Sequence, residues 1–313
     1  MATVPSRSAR GARNLGLALA LTAAAAAGAS AFSPEESIQA EIEAMRASVL
    51  PAVEAEKAQA AQAAKETPPA QARALVEAAL AGSGVPDSYV EGVFADPRSR
   101  LFPEIPGRFG GSRGHGKPVP YEEYRKYFIT ESNIAAGARF VRAHRELLDA
   151  VTARYAVDGA LLTALVAIET RYGSATGKYP VFDALDTIIQ KVPSRSAWAV
   201  REEAAFLEMT YVQGLDAHAV LGSYAGAFGY VQFEPSTYQS TAVDFDGDGA
   251  RRLDQWPDAL GSCANYLARA GYDASAPFTP ESAIGRSLFA YNHSSNYVRV
   301  ILELRGEILK RLP

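Results

Sequence analysis

One carboxylate at the end of an apolar helix is where acid–base chemistry can first sit in this chain. Leu161-Leu162-Thr163-Ala164-Leu165-Val166-Ala167-Ile168-Glu169 is apolar on nearly every helical face, so the helix is expected to be buried. Glu169 then meets two effects of the same sign. Desolvation disfavours its ionised form, and so does the negative end of the helix dipole. Both raise its pKa, as a general acid working near neutral pH requires. Taken alone, the segment fits a structural Glu paired with Arg171 equally well.

A second constellation is acidic. Asp244-Phe245-Asp246-Gly247-Asp248-Gly249 places oxygen ligands at alternate residues and Gly at the sixth, the opening of an EF-hand calcium loop. Asp244, Asp246 and Asp248 would supply carboxylates and Ala250 its backbone carbonyl. Position twelve is Gln255, which cannot be a bidentate carboxylate, while Asp254 and Asp258 are nearby acids. An acidic turn without an ion is the plainer alternative. The Gly222–Gly229 stretch lets backbone approach a ligand closely, or is a tight turn. Asp183 follows Pro180 at an expected helix start, where capping is its expected role. Cys263, the one cysteine, lies in the apolar run Ala259–Leu267 and reads as a small buried hydrophobe.

The elements that position these residues read as helices. Ser33-Pro34-Glu35-Glu36 has the form of a capping box. The Ala/Gln/Lys-rich stretch Ala55–Glu66 reads as an exposed helix or a linker. Thr67-Pro68 is expected to cap a helix ending near Gly82, and Asp96–Pro120 to form a long Gly/Pro-rich loop. From Tyr121 the expected helices are longer. One follows Ser132 to Tyr155, and one runs from Asp158 to Glu169 with Gly173 beyond its end. Others cover Ala197–Tyr211, Pro257–Ala270, Glu281–Tyr291 and Ser295–Leu312. No run of alternating β-branched residues appears, so the class is all-α.

Three regions result. Residues 1–31 form an expected export signal: basic Arg7, Arg10 and Arg13, apolar Leu15–Ala27 and the cleavage site Ala29-Ser30-Ala31. No Cys sits near that site, so a lipoprotein anchor is not expected, and no later segment is long and apolar enough to cross a membrane. Residues 32–120 make an N-terminal helical region and loop, and residues 121–313 the main domain. The net charge is −4, and the signal carries three Arg and no acid, so the remainder is more acidic still. Such a chain is a poor partner for nucleic acid.

Three segments occur in order: Ile168–Gly173, Gly222–Ser236 and Ala290–Tyr297. Together they resemble the membrane-bound lytic transglycosylase B family, over roughly Tyr121 to Leu309. The resemblance implies a lysozyme-like helical catalytic domain that cleaves peptidoglycan glycan strands in the periplasm, as a monomer and without a catalytic cofactor. Glu169 matches the family's single acid/base. Ser223 and Gln232 match polar residues of the glycan cleft. Tyr124, Tyr266, Tyr291, Asn292 and Tyr297 match its aromatic and amide lining. Trp198 stands where relatives carry Tyr, and Phe228, Val231 and Glu234 replace the usual Met, Gly and Met. In the metal loop the resemblance makes Asp258 the closing ligand of a structural Ca²⁺. Residues 32–120 are expected to reach cell-wall enzyme partners or to cover the main domain. The implied reaction splits the bond between N-acetylmuramic acid and N-acetylglucosamine without water, leaving a 1,6-anhydromuramoyl end. A lysozyme-type hydrolase on the same fold and a non-catalytic peptidoglycan-binding protein are the alternatives.

Overall fold

The computed structural model describes residues 66–109 and 119–313. The chain divides into two units, residues 1–59 and 60–313. The first unit lies outside the described residues. So do the expected export signal, the capping box at Ser33 and most of the Ala/Gln/Lys-rich stretch.

The described residues are mostly helical. The first helices are α1 (Pro69–Ala79), α2 (Asp87–Phe94), α3 (Pro106–Phe109), α4 (Tyr121–Arg125), α5 (Glu131–Ala143), α6 (Arg145–Tyr155) and α7 (Gly159–Thr170). Strand β1 (Tyr179–Pro180) leads into α8 (Val181–Lys191), and a 3₁₀ turn (Pro193–Arg195) into α9 (Ser196–Gln213). Strand β2 (Leu221–Gly222), α10 (Pro235–Thr241), α11 (Trp256–Arg269), α12 (Ala283–Tyr291) and α13 (Ser295–Leu309) follow. β1 and β2 pair antiparallel as the one named sheet among the described residues. No single described helix is long and apolar enough to cross a membrane.

Helix α7 is the centre of one half of the core. Asp158 caps it, accepting from the Leu161 N–H at 2.7 Å. The Arg305 side chain clamps the same carboxylate at 2.9 Å. Leu161, Leu162, Leu165 and Val166 are fully buried, and α5, α6, α11 and α13 pack around them. Each such side chain contributes roughly 1.5–3 kcal/mol of burial. A helix enclosed in this way has its rotation fixed, which fixes where Glu169 points.

The other half is built on α8, α9 and α1. Helix α1 begins after Pro68 with no side-chain cap, so Thr67 does not cap it as expected. The Thr67 N–H instead donates to the Gln190 carbonyl at 3.0 Å, tying the entry of α1 to α8. The single helix expected from Ser132 to Tyr155 is two helices. Thr130, not Ser132, caps the first, accepting from the Asn133 N–H. The break falls at His144, whose φ of −115° is not helical. Nothing in the local sequence is a helix breaker. The His144 ring lies against Phe140 and Trp256, so the bend follows tertiary packing.

Candidate active site

Glu169 is the penultimate residue of α7, and the helix stops hard behind it. Arg171, Tyr172 and Gly173 all have positive φ, of 50°, 57° and 83°. The Thr170 hydroxyl donates to the Tyr230 carbonyl at 2.8 Å and accepts from the Gly173 N–H at 3.1 Å. These bonds join the end of α7 to the Gly-rich segment that follows β2. A Cβ at Gly173 would come within 3.0 Å of both the Trp256 and Tyr230 rings, which stack on each other at 4.1 Å. Only glycine meets the backbone and the space together.

The Tyr297 hydroxyl, from the first turn of α13, donates a hydrogen bond to the Glu169 carboxyl. Burial raises the Glu169 pKa to about 7, and this hydrogen bond acts in the opposite direction. Arg171 is exposed and takes no part in the shift, so the structural pairing considered from the sequence is not what holds Glu169.

A cavity of about 650 Å³ opens at Glu169, and Ser223, Gln232, Tyr266, Tyr291 and Asn292 line it. Ser223 sits in a turn that only a close backbone approach allows: a Cβ at Gly222 would lie 2.4 Å from the Ala227 carbonyl oxygen. The Ser223 hydroxyl oxygen accepts from the Ala225 and Ala227 N–H groups, so its own proton is directed to another acceptor. The Gln232 amide donates to the Thr176 and Gly229 carbonyls at 3.0 and 2.9 Å, which turns its carbonyl oxygen to other uses. The Tyr266 and Tyr291 hydroxyls donate to the Ala290 and Val231 carbonyls, so these residues offer ring surface. The two rings meet nearly edge-on, 4.9 Å apart.

Two expected lining residues stand apart. Tyr124 packs on Phe128 and is close enough to Glu169 for its charge to raise the Tyr124 pKa, behind burial as the main cause. Trp198 packs against the core and is not among the residues lining this cavity. Tyr224, Phe233, Thr237 and His293 do line it and were not picked out as site residues. All but Thr237 lie inside the sequence segments singled out above, and Thr237 follows one directly. Arg108 and Phe109 lie on the Tyr224 ring, at 5.0 and 5.5 Å, and no local signal in the sequence pointed to them. Glu234 also lines the cavity. Its pKa is raised by burial and by Glu202, against the pull of Arg195.

In the acidic loop, Asp244, Asp246 and Asp258 bring carboxylate oxygens within 4.8 Å of one another. Gly247 and Gly249 adopt φ of 79° and 90°, which wraps the loop around them. Asp258 accepts from the Phe245 and Arg252 N–H groups at 2.7 and 2.6 Å, so it closes the loop from α11. Asp248 lies outside this trio. Its carboxylate accepts from the Ala250 N–H and faces the Arg252 guanidinium at 3.7 Å. Hard oxygen donors of this kind suit Ca²⁺.

The sequence model of the Transglycosylase SLT domain matches residues 68–290. The membrane-bound lytic murein transglycosylase B of Escherichia coli (strain K12) is 38% identical over 149 residues, which are 48% of this chain and 41% of that protein. The chain therefore spans about two-fifths of the length of that relative. The crystal structure of soluble lytic transglycosylase SltB1 from Pseudomonas aeruginosa is similar, with a TM-score of 0.69 and 26% identity, over 77% of this chain and 99% of that one. SltB3 from Pseudomonas aeruginosa, in complex with NAG-anhNAM-pentapeptide, has a TM-score of 0.68 and 25% identity, over 76% and 78%. The Escherichia coli lytic transglycosylase SLT35 in complex with calcium has a TM-score of 0.66 and 24% identity over 77% and 93%, a likeness of fold.

Proposed function

This chain belongs to the Transglycosylase SLT domain family, and on that premise we propose that it is a lytic murein transglycosylase with Glu169 as its single acid/base. One observation carries the reading. The only carboxyl at the buried end of α7 faces a sugar-sized cavity with a pKa of about 7, so it is protonated in a useful fraction at neutral pH and can also act as a base.

Glu169 donates its proton to the oxygen bridging N-acetylmuramic acid and N-acetylglucosamine as the bond from C1 breaks. The centre at C1 becomes oxocarbenium-like. The muramoyl C6 hydroxyl then attacks C1, and Glu169 takes back the proton that this hydroxyl releases. No water is consumed, and a 1,6-anhydromuramoyl end forms. The rings of Tyr266 and Tyr291 supply apolar faces for sugar C–H groups. Ser223, Gln232 and Asn292 supply polar groups for hydroxyls and N-acetyl groups. Tyr297 holds the carboxyl, and Tyr124 lies within reach of its charge. Asp244, Asp246 and Asp258, with Asp248 and the Ala250 carbonyl, would hold a Ca²⁺, which would brace α11 and the loop before it rather than take part in the reaction. The enzyme works in the periplasm, and other cell-wall enzymes are its expected partners.

The hydrolytic alternative has one observation in its favour, since Glu234 adds a second carboxylate to the cavity. Two-carboxylate glycosidases use such a group to activate water or to attack C1. Mass spectrometry of muropeptides released from purified sacculi decides. Anhydro ends support the transglycosylase, ends heavier by one water support the hydrolase, and no release at all supports a binding protein.

A further inference from the structure

We infer that a shallower cavity beside His293 is a distal subsite for the glycan strand, in which the Phe289 ring carries a sugar beyond those held at Glu169. The inference rests on the glycan reading of the Glu169 cavity. This second cavity measures about 370 Å³. It shares Ala290 and His293 with the cavity at Glu169. His293 is exposed, and so is Asn292 beside it on the catalytic side. The two cavities therefore meet at the surface and not through a wall of core.

Two helix ends build both sites. In α12, Phe289 and Ala290 follow Arg286 by three and four residues, so these side chains share one face. Ile284 and Leu288 lie on the buried face. Tyr291, in the same last turn, lines the Glu169 cavity. In the first turn of α13, Ser295 and Val298 line the second cavity, while Tyr297 between them donates to Glu169. The turns that fix the acid thus also fix Phe289 relative to it.

The lining has the two characters of a pyranose ring. Phe289 keeps 43% of its exposure, with His293 edge-on to it at 5.2 Å. Pro280 and Val298 extend the apolar floor. Sugar C–H faces settle on surfaces of this kind. Arg286, His293 and Ser295 stand around the floor with polar groups for hydroxyls. A stem peptide fits less well. An extended peptide is held by free backbone N–H and C=O groups. Helices α12 and α13 spend most of theirs internally. Arg286, the cation a stem carboxylate would need, already donates to the Glu281 carbonyl at 2.7 Å.

Calorimetry with chitin oligosaccharides of increasing length tests the subsite. The full chain carries Glu169→Gln, so that binding is read without cleavage. Affinity is expected to rise with length until the strand reaches Phe289. Phe289→Ala, at an exposed position, should leave the affinity of the shortest bound oligomer unchanged and weaken that of the longest by about tenfold. Phe289→Trp keeps a ring and should keep the rise. With Glu169 restored, Phe289→Ala should raise KM for long peptide-free glycan strands more than it lowers kcat. Equal loss of affinity at every length would put Phe289 inside the Glu169 cavity and overturn the inference. Unchanged affinity at every length would overturn it too, as would a KM effect confined to strands that carry stem peptides. If no oligomer binds even with Phe289 intact, the glycan reading of the cleft fails, and the subsite with it.

Discussion

The Tyr297 hydroxyl donates to the Glu169 carboxyl, so a residue in the first turn of α13 and one in the last turn of α7 set one proton between them. The bond favours the ionised acid, while burial favours the neutral one and prevails. Removing the hydroxyl but keeping the ring leaves burial unopposed. Tyr297→Phe should therefore raise the Glu169 pKa above about 7 and move the alkaline limb of the pH–rate profile to higher pH. An unshifted limb would separate that limb from Glu169.

Wild-type turnover should fall as pH rises through about 7, because the proton donor is lost. Glu169→Gln should remove turnover at every pH, by a factor of at least roughly a hundred, with glycan binding retained. Sacculus digestion and pull-down on the same preparations read the two properties separately. Residual activity near the wild-type level would move the acid elsewhere.

Glu203 should make the fold sensitive to alkali. It is wholly buried, and burial and the nearby Asp186 and Asp183 push its pKa well above the usual carboxylate value. Asp186 is raised to about 6 for the same leading reason. A raised folded-state pKa means the native state holds the proton more tightly than the unfolded chain. Stability is then greatest below the ordinary carboxylate pKa and declines as pH rises toward the raised value. Glu203→Gln should flatten that decline. Urea denaturation at about pH 5 and about pH 8 should show a smaller difference in the variant than in the wild type.

Calcium should raise the melting temperature and give a heat of binding, and chelator should reverse both. Asp246→Asn should abolish the response, because Asp246 is one of three carboxylates converging within 4.8 Å. Asp258→Asn is expected to cost stability even without calcium, since both oxygens of Asp258 receive backbone N–H bonds. Calorimetry on the two variants distinguishes ligand from brace.

Glu234→Met should leave the anhydro product unchanged and shift only affinity, if Glu234 serves the groove's charge rather than the bond cleavage. Muropeptide masses from variant and wild type give the answer.

The helical class and the placing of Glu169 were legible because α7 is apolar all round, and such a segment has one stable home. The cavity's polar residues were legible through three short segments carrying unusual residue combinations. Other features were decided by contacts between distant parts of the chain, which leave no local mark. Arg108 and Phe109 lie against Tyr224, which lines the cavity. The helix break at His144 depends on Trp256. The capping role expected of Asp183 gave way to a contact with His218, 3.4 Å away.

The three left-handed residues that end α7 have a further bearing on how this protein can change. Arg171 and Tyr172 hold a conformation that disfavours any side chain by roughly 1–2 kcal/mol. Glycine at either position should thus make the protein sturdier against heat. It should also let the acid wander from its post, so robustness and turnover ought to diverge there.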